Sequence, residues 1–364
     1  MLPHQLGLEP FRPRAPWWTG DLQTLRDTLR PVRLPADAGQ PLLLPVAARP
    51  GGKGVDQLLA VHDLPLPPRE PLGLVVLLHG LGGSSDREGL RRMGRALQLA
   101  GFAVLRLNLR GAGAGRALAP GTYAACCNRD LLPVLEQARH LAHQHADQRA
   151  GALRLLGMGI SLGGTMLLNA ALAGAPLDGL VCISSPLDLA QCSAQIERPR
   201  NRLYQRWLLK RLVQQTLADP FGVSDAERVA LEGRGQQGPI RTIRGFDAAI
   251  TAPRWGYSSV EHYYAAASPW PRLLERCCAG WQGLPPTLLV HAYDDPWVPV
   301  EATRQLAAAG ELQARGLEVL LTRQGGHNGF HSRCDGPEGN WGDRLTARWF
   351  RRLVGAPPQP GAAG

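Results

Sequence analysis

The stretch GMGISLGGT, residues 157–165, decides how this chain is read. One serine, Ser161, stands between glycines at minus two and plus two. The apolar run ALRLL (152–156) precedes the motif and MLLNAALAG (166–174) follows it. This pattern predicts a strand, a tight glycine turn and a helix. Such a turn lifts a hydroxyl up at the end of a strand, where a merely packed serine has no need to be.

The same rhythm continues on both sides. LGLVVLLHG (72–80) and FAVLRLNLRG (102–111) read as buried strands. Between them REGLRRMGRALQLAG (87–101) reads as a helix, with Ser84, Ser85 and Asp86 as N-cap candidates and Gly101 as its stop. A helix over 128–148 leads into the serine motif, and DGLVCISSP (178–186), PTLLVHAYDDP (286–296) and LEVLLTRQGGH (317–327) complete the strand series. VDQLLAVH (55–62) is a further strand candidate. The segment from about residue 30 to about 50 is Pro-rich, and the tail GAPPQPGAAG (355–364) reads as disordered. Strands separated by helices imply a mostly parallel central sheet covered on both faces. From 187 to 275 the strand rhythm stops and helical stretches such as RLYQRWLLKRLVQQTLA (202–218) replace it. The expected organisation is an α/β core of residues 1–186 and 276–364, with a helical cap, 187–275, inserted above the carboxyl ends of the strands.

Composition narrows the partners. The 364 residues are 44% hydrophobic and 19% charged, enough for a packed core. The formal charge is +10 and the pI about 9.7. Of the 40 basic residues only Lys53 and Lys210 are lysines, and the arginines are spread along the chain, densest in RPRNR (198–202). No nucleic-acid-binding signature accompanies that charge, so no nucleic-acid partner is expected; an anionic surface or acidic substrate fits better. Seven cysteines, without paired metal-site spacing, read as free thiols in a reducing compartment. The N-terminus lacks the apolar core of a signal peptide, and LGLVVLL (72–78) is too short to span a bilayer. The expectation is a soluble, cytoplasmic protein with no transmembrane segment.

A serine hydroxyl is a weak nucleophile until a histidine, itself oriented by a carboxylate, takes its proton. Ser161 lies in G-I-S-L-G, which matches the nucleophile-elbow pattern G-x-S-x-G. Asp294 and Asp295 follow the strand TLLVHAY, and His327 follows LEVLLTRQ, so the three types occur in the order Ser, Asp, His on strand-end loops. Position four before Pro299 favours Asp295 as the acid, with Asp294 fixing the turn through backbone bonds. His327, behind two glycines, is favoured over His331, which reads as solvated or supporting. Acyl transfer also needs donors for an oxyanion. The backbone N–H of Leu81, after the His79–Gly80 pair, and that of Leu162, at the start of the helix after Ser161, are the candidates. His79 itself reads as a positioning residue.

Other features have plainer readings. GAGAG (111–115) lacks the dinucleotide-loop spacing. His140, His143 and His145 form a helical cluster without an acidic or thiol partner, so no metal site is expected. Trp17, Trp18, Tyr263 and Tyr264 are aromatics that either pack or line an acyl pocket.

Taken together, the motifs resemble the YheT-like (AB hydrolase-4) branch of the α/β-hydrolases. The matching pieces are GDLQTL (20–25), HGLGGSSD (79–86), LNLRGAG (107–113), GISLGGTMLL (159–168), ISSPLDL (183–189), RTIRGFDAAIT (241–251), YYAAASP (263–269), HAYDDPWVP (291–299) and GGHNGF (325–330). The resemblance implies the α/β-hydrolase fold and a serine esterase with a Ser161–Asp295–His327 triad. It implies an ester substrate, such as an acyl lipid, and no cofactor. Two stretches depart from the family pattern: LGGSS after the HG pair lacks an acidic residue after the leucine, and AACCNRD (124–130) replaces small polar residues. The membrane anchor of eukaryotic members is not seen in this sequence. Carboxylic ester hydrolysis is the expected activity, alcohol acyl transfer through the same triad is the alternative, and a non-catalytic scaffold is the third reading.

Overall fold

The computed structural model describes residues 2–48, 54–144, 153–235, 238–313, 316–336 and 339–357, side chains of 310–313 excepted. Eight strands form one sheet: β1 (Gln40–Ala47), β2 (Val55–Asp63), β3 (Gly73–Leu78), β4 (Ala103–Leu107), β5 (Arg154–Ile160), β6 (Gly179–Ile183), β7 (Thr287–Ala292) and β8 (Leu317–Thr322). Their order is β1-β2-β4-β3-β5-β6-β7-β8. The β1–β2 and β2–β4 pairs are antiparallel and every other pair is parallel.

Residue alternation builds the two faces. Leu74, Val76 and Leu78 of β3 enter one core cluster, and Val75 and Leu77 enter the other, as a period of two requires. Helices α1 (Gly20–Leu29), α2 (Glu88–Leu99), α3 (Asn128–Gln144) and α4 (Leu162–Leu172) occur in the first half of the chain. Leu131 and Leu135 of α3 and Met166 and Leu167 of α4 cover the first face. Leu90, Met93 and Leu97 of α2 cover the second, together with Trp341, Leu345 and Trp349 from the C-terminal helix. No described helix is long and apolar enough to cross a membrane.

Between β6 and β7 the chain is helical: α5 (Leu189–Ile196), α6 (Arg202–Leu217), α7 (Asp225–Glu232), α8 (Val260–Ala267) and α9 (Trp270–Cys278), with a π-helical turn at Asp247–Thr251. Leu208, Leu209, Leu212, Leu231, Phe246 and Ile250 form an apolar cluster of their own. The residue-275 boundary falls inside α9, whose Leu273 and Cys277 pack into the main core. Helices α10 (Glu301–Gln313) and α11 (Trp341–Leu353) complete the chain.

Several local readings are extended or corrected. The Pro-rich stretch contains β1, a full strand. Its prolines are tolerated because β1 is an edge strand with only β2 as a ladder partner, and its burial alternates. Ser84, Ser85 and Asp86 do not cap α2, which starts at Glu88 behind Arg87 with no side-chain cap bond. Ser84 bonds Asp86 instead, and Ser85 exchanges two hydrogen bonds with Asn108. The helix before the serine motif is described only to Gln144; its expected end, His145 and tail residues 358–364 lie outside the described residues. Part of the positive charge is buried structurally: Arg92 pairs with Asp343 and Asp27, Arg106 with Asp63 and Asp37, and Arg110 with Asp130 and Asp56. Losing one partner of such a buried pair strands a charge and destabilises the fold.

Candidate active site

Ser161 sits between β5 and α4 with φ 54° and ψ −126°, a strained conformation for a non-glycine residue. Its N–H donates to the Ile183 carbonyl at 2.8 Å, pinning the turn to β6. The flanking glycines have a steric reason. A Cβ on Gly159 would lie 2.2 Å from the Gly164 nitrogen, and one on Gly163 would lie 2.5 Å from the Leu78 carbonyl oxygen. Helix α4 can therefore start this close to the sheet only where both positions lack a side chain.

The loops after β7 and β8 bring Asp295 and His327 to the serine. His327 Nε2 lies 2.9 Å from Ser161 Oγ, and its Nδ1 lies 2.9 Å from Asp295 Oδ2. Asp295 Oδ1 accepts from the Trp297 and Val298 N–H groups at 2.8 and 3.0 Å. Burial alone would raise this carboxyl. The facing His327, and hydrogen bonds from His291 and His327, outweigh that and hold it well below the usual carboxylate range. With Oδ1 fixed by the backbone, Oδ2 is left for the imidazole.

Asp294 has a different task. Its Oδ1 accepts from the Gly326 N–H at 2.9 Å, one residue before His327. Burial pushes its carboxyl up. His331 is buried rather than solvated: its N–H donates to Gln23, and its Nε2 lies 3.1 Å from Asp27.

Three further residues, not expected from the sequence as site residues, support this arrangement. The Trp297 ring lies against the His327 ring, centroids 4.5 Å apart and 32° between planes. Thr24 accepts from the His327 N–H at 2.9 Å. A Cβ at Gly20 would strike the Asp294 carbonyl oxygen at 1.9 Å, so GDLQTL braces both the acid and the histidine loops. The DDPW tetrapeptide was the local signal for Trp297; nothing local signals a contact across three hundred residues.

The loop after β3 approaches from the other side. His79 is buried; its Nδ1 lies 2.8 Å from the Gly80 carbonyl, and Leu109 donates to its Nε2 at 3.3 Å. These partners assign a neutral ring with the proton on Nδ1. Burial pushes its pKa down to about 4, so the ring stays neutral near pH 7. Leu81 and Leu162 both line the cavity that holds Ser161 and His327. Neither backbone N–H has a hydrogen-bond partner among the described residues. Leu162 is the first residue of α4, so its N–H is one a helix leaves unpaired.

That cavity has a volume of about 300 Å³. Much of its wall beyond Ser161 is apolar and comes from the β6–β7 helices, including Leu208, Leu212, Ile243 and Phe246. Tyr263 and Tyr264 line it, whereas Trp17 is buried elsewhere and Trp18 is exposed. GAGAG leads into a short 3-10 turn, Gly113–Leu118. His140 and His143 are exposed on α3, and no group of three or more metal-ligating side chains occurs among the described residues. All seven cysteines are free.

One carboxyl in the wall titrates unusually. Burial pushes Asp247 up to about 6, against hydrogen bonds from Thr251 and Tyr264. A folded-state value above the unfolded value of about 4 stabilises the fold at low pH. That contribution fades as pH rises from about 4 to about 6 and is absent above it. Asp247→Asn should therefore melt higher than wild type near pH 8, with the difference closing toward pH 4. Thermal scans at the two pH values check this.

The topology and the strand-end loops define the class. The chain belongs to the α/β-hydrolase fold family, whose profile matches residues 73–333. Within that family it groups with YheT of Escherichia coli (strain K12), a protein assigned as an esterase. The two are 30% identical over 262 residues, 70% of each chain. It is also 26% identical over 283 residues to the human phospholipase ABHD3, matching 77% of this chain and 64% of that protein. The match thus spans less than two thirds of the human relative. The acylaminoacyl peptidase of Pyrococcus horikoshii shares the fold, with a TM-score of 0.50 at 12% identity over 90% of this chain and 44% of that one.

Proposed function

We propose that the protein hydrolyses carboxylic esters through an acyl-enzyme, with Ser161 as nucleophile, His327 as base and Asp295 as its orienting acid. The observation that carries this reading is the unbroken hydrogen-bonded line Asp295–His327–Ser161 opening onto a largely apolar cavity. Ser161 Oγ attacks the ester carbonyl while its proton passes to His327 Nε2. The Leu81 and Leu162 N–H groups receive the oxyanion. Collapse of the tetrahedral intermediate expels the alcohol, which leaves with the proton from His327. Water then repeats the sequence and releases the acid. The relatives named esterase and phospholipase support an ester substrate, and the apolar wall suits an acyl chain.

The helices between β6 and β7 act in this reading as a cap over the strand ends. The cap begins at 187 and ends before Trp270 rather than at 275, because α9 packs with the core. The test is turnover of p-nitrophenyl esters of graded chain length, with and without added ethanol. The expected result is hydrolysis to the free acid, with a chain-length optimum that shifts when a wall leucine, Leu208 or Leu212, is enlarged to phenylalanine. Absence of turnover across the series would contradict the reading. Ethyl ester as the main product would instead make the protein an acyltransferase.

A further inference from the structure

Segment Gly80-Leu81-Gly82-Gly83 carries the proposed oxyanion donor, yet three of its four residues are glycine. Glycines give such a turn little stiffness of their own, so its shape must be fixed from outside. Gly83 N–H closes it onto the Gly80 carbonyl at 3.1 Å, with Gly82 at φ +65°. One outside hold comes from a hydroxyl that reaches both ends of the turn. Gly82 N–H donates to Tyr123 Oη at 2.6 Å, and Tyr123 Oη lies 3.4 Å from the Gly80 carbonyl oxygen. A phenol has one proton; with a lone pair taken by Gly82, that proton is free to reach back to Gly80. The hydroxyl therefore spans the turn.

We propose that Tyr123 is a positioning residue that sets the Gly80–Leu81 peptide so that the Leu81 N–H faces the developing oxyanion. This rests on the reading of Ser161 as the nucleophile. In a trans peptide the carbonyl of Gly80 and the N–H of Leu81 point in opposite directions. Gly83, His79 and Tyr123 converge on that carbonyl. Their hold turns the N–H away from all three, to the side where no described group takes it. Tyr123 is itself buried, edge-on to the His79 ring at 5.4 Å. Burial pushes its hydroxyl up to about 12, so it keeps its proton through any practical assay range. The loop that bears it is tied to the helical segment: Trp255 Nε1 donates to the Thr122 carbonyl at 2.9 Å, and Ala125 N–H donates to the Tyr263 hydroxyl at 2.9 Å. Arg211 of α6 donates to the Gly82 carbonyl of the same turn at 2.7 Å. The oxyanion loop is thus held between the sheet and the cap.

The experiment compares wild type with Tyr123→Phe, which removes only the hydroxyl, counting active sites with a fluorophosphonate. Deleting a whole oxyanion donor costs roughly 100- to 1,000-fold in kcat, so misdirecting one should cost roughly 10- to 100-fold. The expected result is that loss in kcat per active site, with KM and the shape of the pH profile unchanged. A trifluoromethyl ketone, which forms the tetrahedral adduct, should weaken by the same factor. Tyr123→Met, which fills similar space without a hydroxyl, should repeat the pattern if the phenylalanine variant folds poorly. Unchanged kcat per active site, or a loss confined to KM, would overturn the proposal. A folded wild type that takes no fluorophosphonate would defeat the nucleophile reading instead.

Discussion

Ser161→Ala should abolish ester hydrolysis while leaving the melting temperature unchanged. Only one atom is lost, and the hydroxyl's hydrogen bond to His327 is not part of either core cluster. The strained backbone at this position is imposed by β5, α4 and the Ile183 contact, so alanine inherits it without new cost. Removing the nucleophile of such a triad costs up to about a million-fold in kcat, leaving only what the oxyanion donors and binding supply. Calorimetry beside p-nitrophenyl ester turnover checks both halves of the expectation. A folded variant with substantial activity would remove Ser161 from the chemistry.

Asp295→Asn should also be severe, though less so than loss of the serine, for a reason visible in the hydrogen bonds. Oδ1 of Asp295 is held by the Trp297 and Val298 N–H groups. In the asparagine the carbonyl oxygen keeps those two donors, which places the NH₂ against His327 Nδ1. That nitrogen must then accept, so the imidazole proton moves to Nε2, where it cannot take a proton from Ser161. A carboxylate-to-amide change of this kind lowers kcat roughly ten-thousand-fold. Asp294→Asn retains an oxygen for the Gly326 N–H and should cost less than about ten-fold, in the range of one neutral hydrogen bond. Steady-state kinetics of the two variants settle which aspartate is the acid. A larger loss at Asp294 would reverse the assignment.

The parts of this fold legible in sequence are those governed by local pattern. The continuous apolar runs of β3, β5, β6 and β7 are buried on both faces, and glycines at 159 and 163 mark where α4 must crowd the sheet. Serine, aspartate and histidine could be ordered along the chain because each follows such a run. β1 was hidden because Pro41 and Pro45 argue against a strand until its edge position is known. Tyr123 and Trp297 give no periodic signal, since each acts on groups that another segment of the chain supplies. In the sequence Thr24 and Gly20 stand out only as part of a family motif. Their use, bracing the Asp294 and His327 loops, depends on how the N-terminal helix folds back over the strand ends. The burial of Arg92, Arg106 and Arg110 was equally illegible, because their acidic partners come from remote segments.

The most direct test of the central claim is to react the folded protein with a fluorophosphonate and locate the adduct by peptide mass spectrometry. The account predicts one stoichiometric adduct, on Ser161, that disappears in Ser161→Ala and is strongly slowed in Asp295→Asn. An adduct on another residue, or none on protein shown to be folded, would contradict it.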